Sequence, residues 1–172
     1  PRAGGNTDEC VGRVAHALAA AGHDTETVRV ADRRIEPCRG CRACMERGRC
    51  VIEDDEFEAI WQKIDSCDLL VPAAPVYWYG PPGPMKNLVD RSHGYYAAGE
   101  PLHGLKAALL SVAADDGCWE PHERILASWL KWYGAEMLGG VRILAREKGD
   151  AMASEPACRA LDEWASALCE AL

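Results

Sequence analysis

Four thiols crowd one short stretch, in the pattern Cys38-x2-Cys41-x2-Cys44-x5-Cys50. Three at steps of three, with Gly40 among them, suit a tight turn that aims several sulfurs at one centre. Thiols so placed ligate metal or carry redox chemistry. Structural zinc usually splits its ligands into two pairs with a longer gap. One compact run of four suits a [4Fe–4S] cluster better. Zinc and no metal at all stay open beside it. Arg39, Arg42, Arg47 and Arg49 interleave the cysteines and either offset thiolate or cluster charge or form a solvated basic loop.

A second constellation is aromatic. Tyr77, Trp78 and Tyr79 run together and are closed off by Gly80, Pro81, Pro82, Gly83 and Pro84. Three adjacent rings suit a flat, conjugated ligand. They suit equally well a loop packed over its own core. A third constellation opens the chain. Arg2, Gly4, Gly5, Asn6 and Thr7 precede a helix with Val11, Val14, Ala15 and Leu18 at helical spacing. Free N–H groups feeding a helix start form an anion site; by itself the segment is also a plain helix start capped by Asn6 or Thr7.

The elements that must position these groups alternate strand and helix. Leu69, Leu70 and Val71 form a buried parallel strand, broken at Pro72 and Pro75 because proline cannot donate to the ladder. Met85, Leu88 and Val89 then share a helical face. Ligands of open α/β sheets sit beyond the carboxyl ends of the strands, where the aromatic loop falls. Residues 105–113 form a second buried strand, ending in a third loop with Ala114, Asp115, Asp116, Gly117 and Cys118. Residues 25–30 alternate as a strand, and 135–144 form the last one. Helices follow from Phe57, Ile60, Trp61 and Ile64, from Ile125, Leu126, Trp129, Leu130 and Tyr133, and from Leu161, Trp164, Ala165 and Leu168. Residues 93–96 are expected as a loop, 147–155 as a linker, and His122 on the surface.

The chain has 172 residues, enough for one domain with a substantial core. Its net charge of −8 argues against nucleic acid as a partner. No apolar run approaches the roughly 18 residues of a membrane span, and no export signal is visible, so a cytoplasmic protein is expected. Nine cysteines, an odd number, argue against a disulfide framework.

The segment PVYWYGPPGPMKNLVDR resembles the PVYFG…S…K…DR segment of NADPH-dependent FMN reductases and iron–sulfur flavoproteins. The opening residues are similar to that family's S-x-R-x-x-G-N-T phosphate loop, and the cysteine spacing to the compact motif of its iron–sulfur members. The resemblance implies an α/β, flavodoxin-like, doubly wound fold with a five-stranded parallel sheet in the order 2-1-3-4-5. The first, central strand is missing from the given chain, so about ten further residues are expected upstream of Pro1. One domain over 1–172 is expected, with a cysteine-rich insertion at about 36–52.

It further implies an FMN-dependent oxidoreductase passing electrons from NAD(P)H to a quinone, flavin or other small acceptor. The flavin is the reactive group, so no catalytic side chain is expected. Cofactor contacts carry over to Arg2, Gly5, Asn6 and Thr7 for the phosphate and to Pro75, Val76, Tyr77, Trp78, Tyr79 and Gly80 for the ring. Ala114, Asp115 and Gly117 fall at the ring's far edge, where the family often has a glycine-rich stretch. An alternative is an electron-transfer iron–sulfur flavoprotein with a [4Fe–4S] cluster on Cys38, Cys41, Cys44 and Cys50 and a ferredoxin-like donor. A zinc-stabilised, non-enzymatic binding module is another. A homodimer or homotetramer is expected, with Lys86, Asp90 and Arg91 as interface residues.

Overall fold

A computed structural model describes residues 2–99, 102 and 104–172. Helices α1 (Asn6–Ala20), α2 (Cys44–Arg47) and α3 (Phe57–Asp65) come first, with a 3-10 turn at Val30–Asp32. Strands β1 (Leu69–Leu70) and β2 (Ala73–Pro75) follow, then α4 (Gly83–Arg91) and α5 (His93–Ala98). The chain ends with β3 (Lys106–Ala113), α6 (Trp119–Trp132), β4 (Glu136–Leu144), α7 (Asp150–Ala153) and α8 (Glu155–Ala171).

β1 and β2 are two parts of one strand. Both run parallel to β3, with Leu69 opposite Lys106 and Ala74 opposite Ser111. The break falls at Pro72, whose carbonyl still accepts from the Leu110 N–H at 3.2 Å. β4 pairs in parallel with the other edge of β3. Gly140 permits that approach: a Cβ there would come 2.5 Å from the Leu109 carbonyl.

β3 is apolar on both faces because each face is covered. Ala107 and Leu109 join Phe57, Ile60, Trp61, Leu126 and Leu130 on one side. Ala108, Leu110 and Val112 join Val14, Leu18, Leu161 and Leu168 on the other. The result is the three-layer α/β/α arrangement with a parallel sheet that the flavodoxin-like class requires.

Several expectations need correcting. The parallel sheet, four strands among the described residues with β1 and β2 counted separately, agrees with the expected fold, but residues 25–29, expected as a strand, form none. A strand needs a hydrogen-bonded neighbour; segment 25–29 instead lines a cleft along the free edge of β1 and β2. Residues 93–96 are helical, because Tyr95 is buried and stacks on Trp61 at 4.6 Å. His122 is fully buried. So is the side chain of Arg91, expected at an interface; its ion pair with Asp55 and its bonds to the loop at 36–52 draw it inward.

Candidate functional site

The opening residues form a tight cradle. Gly4 has φ +60°, and the Gly5 N–H donates to the Arg2 carbonyl at 3.1 Å. A Cβ on Gly5 would lie 3.1 Å from that same carbonyl oxygen, so glycine keeps the turn this close. Gly5 is the N-cap of α1, without a side-chain cap. The N–H groups of Asn6, Thr7 and Asp8 therefore have no acceptor within the helix. They, with the positive end of the helix dipole, suit a phosphate.

Asn6 contributes differently from expectation. Its side chain is buried and staples the segment after β4: Nδ2 donates to the Glu147 carbonyl at 2.8 Å, and Oδ1 accepts from Gly149 N–H at 3.0 Å. Only its backbone N–H is left for an anion.

At the end of β2, Val76 N–H donates to the Val112 carbonyl at 2.8 Å, extending the ladder by one residue. Tyr77 and Gly80 then exchange two backbone hydrogen bonds, at 2.8 and 3.0 Å, closing a two-residue turn. Its corners are Trp78 (φ 48°) and Tyr79 (φ 63°), both in the left-handed region. Non-glycine residues reach that region at about 1–2 kcal/mol each. Nor do the rings pack over the core. Trp78 is 96% exposed, Tyr79 56% and Tyr77 47%. Strain and three exposed rings in one turn are the marks of a ligand or partner contact.

Beneath this turn lies His122, on α6. Neither ring nitrogen meets a partner at good geometry; the polar group it faces is the Gly80 backbone. Burial pushes its pKa below the ordinary histidine value, so the ring is neutral.

In the third loop both aspartates are engaged. Asp116 accepts from Trp119 Nε1 at 2.6 Å and from Gly117 N–H at 3.0 Å, and the indole bond holds its carboxyl below the usual range. Asp115 pairs with Arg146. The Asp115 charge is thus offset by Arg146, while Asp116 keeps its charge and is held against Trp119.

One cleft of about 1200 Å³ joins these parts. Its lining includes Arg2, Gly5, Asn6, Thr7, Pro75, Val76, Tyr77 and Ala114. Trp78, Tyr79, Gly80, Asp115 and Gly117 lie outside the lining. The same cleft continues down the open edge of β1 and β2, past Val28 and Leu70.

The four cysteines of the 38–50 segment line a second cavity of about 390 Å³, with Arg91 and His93. Cys38 and Cys41 are exposed; Cys44 and Cys50 are half-buried. Gly40, Arg42 and Gly48 all have positive φ, the sign of a tightly coiled loop. Gly94 lets α5 sit against it, since a Cβ there would lie 3.0 Å from Arg49 Cα. Among the described residues no three His, Cys, Asp or Glu side chains stand close enough to hold a metal ion. The donor chemistry fits a cluster, four thiols around one cavity; the distances are not those of a closed ligand set. Elsewhere in the chain, burial raises the Cys10 pKa to about 11 and pushes the Cys67 thiol up as well.

The arginine that organises this loop was not legible as such. Arg91 donates to the carbonyls of Glu36 at 3.0 Å and Ile52 at 2.8 Å, to Asp55 at 2.6 Å and to Cys50 Sγ at 3.0 Å. It thus ties together both ends of the cysteine-bearing segment. The only sequence signal was its place in the Asp-Arg pair that closes the recognised segment.

Residues 1–147 match the family described as NADPH-dependent FMN reductase. The chain belongs to that family. It is an FMN-dependent oxidoreductase with NAD(P)H as donor. An iron–sulfur flavoprotein of Methanosarcina thermophila is 31% identical over 140 residues, which is 81% of this chain and 73% of that protein. A putative NAD(P)H-dependent FMN-containing oxidoreductase of Bacillus subtilis is 33% identical over 90 residues, 52% of this chain and 46% of that one. In fold, the chain is similar to an NAD(P)H:quinone oxidoreductase from Methanothermobacter marburgensis, with a TM-score of 0.74 at 19% identity, covering 95% of this chain and 88% of that one. The cradle at Gly4 and Gly5 and the exposed aromatic turn agree with an FMN site by their own chemistry. No helix is long and apolar enough to cross a membrane among the described residues.

Proposed function

We propose that FMN lies in the cleft between the opening loop and the aromatic turn, and that the enzyme reduces a quinone, free flavin or similar small acceptor. One observation carries this reading: Arg2, Gly5, Asn6 and Thr7 share a single cleft with Pro75, Val76 and Tyr77. An anion cradle and the base of the aromatic turn, with the Tyr77 ring, on one cleft match a phosphate joined to a flat ring.

Bound there, FMN would supply the two-electron exchange between nicotinamide and acceptor. The chain's residues bind and orient. Arg2 and the free first-turn N–H groups of Asn6 and Thr7 take the phosphate, and Gly5 keeps the turn beneath them close. Pro75 and Val76 shape the wall, and Tyr77, Trp78, Tyr79 and Gly80 border the ring on its open side. Ala114, Asp115 and Gly117 form the far edge through backbone groups, with the Asp115 carboxylate ion-paired to Arg146 and the Asp116 carboxylate held by the Trp119 indole. No side chain is assigned a proton-transfer role.

The second reading is that Cys38, Cys41, Cys44 and Cys50 hold a [4Fe–4S] cluster that exchanges electrons with the flavin and a ferredoxin-like donor. Their shared cavity beside Arg91 favours it, as does the likeness to proteins named iron–sulfur flavoproteins. Residues 36–52 are then an insertion within a single domain over 1–172. Exposed Trp78, Tyr79 and Trp132 support a homodimer or homotetramer, and the cytoplasm is the place we assign to it.

Anaerobic purification with an absorption spectrum and metal analysis tests all of this. Flavin bands bleached by NADPH and restored by a quinone are expected. A broad iron–sulfur shoulder on those bands would add the second reading. A colourless protein carrying zinc would overturn both. Light scattering that gives a monomer would overturn the assembly.

A further inference from the structure

We infer that Lys148 is a second cation of the phosphate site, beside Arg2, and that the Asn6 side chain is what holds it there. The inference rests on the cofactor reading above and adds to it a residue from the far end of the sheet.

The argument begins with charge. A phosphate monoester carries about −1.5 to −2 at neutral pH. The positive end of a helix supplies roughly half an elementary charge. The cradle of Gly4 and Gly5 therefore needs side-chain cations. The adjacent acid, Asp8, is no obstacle: it accepts the Gly4 N–H at 2.8 Å and is ion-paired with Arg29.

Lys148 fills the gap. A Cβ placed on Gly4 would lie 3.4 Å from Lys148 Nζ and 3.8 Å from its Cε, so the ammonium sits over the bare face of that glycine. Lys148 is exposed and enters no ion pair among the described residues. The segment carrying it is fixed, because Asn6 bonds Glu147 on one side of Lys148 and Gly149 on the other, with Ala151 N–H a further donor at 3.4 Å. Asn6 opens the very helix whose N-terminus forms the cradle. One buried amide thus registers the ammonium against the phosphate loop. A lysine suits the task, being a point charge on a flexible stem that adjusts to the bound anion. Lys148 is consequently a specificity residue, favouring the phosphorylated flavin over riboflavin.

Equilibrium binding of FMN and of riboflavin to flavin-free protein tests this, with wild type, Lys148→Met and Lys148→Arg. Lys148→Met should weaken FMN about tenfold and leave riboflavin unchanged. Lys148→Arg should recover most of the loss, and added salt should shrink the difference between wild type and Lys148→Met. Asn6→Ala should weaken FMN as well, and add little in the Lys148→Met background. Equal weakening of both flavins, or of neither, by Lys148→Met would overturn the assignment of Lys148. Full additivity of the two substitutions would overturn the role of Asn6. Wild type that binds neither flavin would overturn the cofactor reading itself, and this inference with it.

Discussion

Arg91 Nε donates to Cys50 Sγ at 3.0 Å, from a guanidinium that is itself wholly buried. A charge placed there without compensation would be costly; Asp55, 1% exposed, supplies the compensation. Burial works against the Asp55 carboxylate, but the Arg91 bond and two backbone N–H groups outweigh it and lower its pKa. Replacing Arg91 by Met should therefore cost about 3–5 kcal/mol, because Asp55 is left buried and alone. Arg91→Lys should cost less but release one end of the cysteine segment, since an ammonium cannot span four partners. Urea unfolding measures the first effect, and thiol labelling of Cys50 the second.

Cys41→Ser should abolish iron uptake during anaerobic reconstitution and leave FMN bound, since the two cavities have separate linings. Iron and flavin contents per chain read this directly. Loss of both together would mean that the cysteine loop supports the flavin cleft.

Tyr79→Gly should move stability and affinity in opposite directions. It relieves a left-handed residue at φ 63°, for a gain in the flavin-free protein of up to about 1 kcal/mol once glycine's greater unfolded-state entropy is subtracted. It also removes a ring from the turn, and FMN affinity should fall. Denaturant midpoints and flavin titration of the same preparation check the pair.

Lowering the pH from 7 to 5 should destabilise the protein through His122. Its folded pKa is depressed by burial, so the unfolded chain takes up a proton first, at about 6.5. Stability is complete above that value and declines as pH falls towards the folded pKa. The depressed carboxylates Asp55, Glu56 and Glu123 lose their contributions only at lower pH. A melting temperature that falls over this range in wild type, and less in His122→Leu, is the expected result.

Gly94→Ala should cost about 1–3 kcal/mol, because the new methyl meets Arg49 backbone atoms at 3.0 Å that cannot swing aside. Thermal melts check the loss, and iron loading should fall with it.

Much of this was legible in the sequence, for stated reasons. The apolar run at 105–113 reads as buried strand because both faces are covered, and so it is. The loop after residue 75 was marked by Pro, Gly and adjacent rings, which are local signals. What escaped depended on long-range partners. Residues 25–29 alternate like a strand, yet pairing is decided by a neighbour. Arg91 and His122 carry polar side chains on amphipathic helices, and only tertiary contacts distinguish a solvated face from a buried one. Asn6 was recognised as part of a phosphate loop, but its bonds reach over 140 residues along the chain, beyond any local pattern.

Helix α4 starts three residues past the aromatic turn and ends at Arg91. It is a strut of nine residues, about 13 Å long. Its two ends cannot drift independently. The gap between ring turn and thiol loop is thus a built-in span, set by helix length, and inserting a single residue into α4 would rotate Arg91 by about 100° away from Cys50.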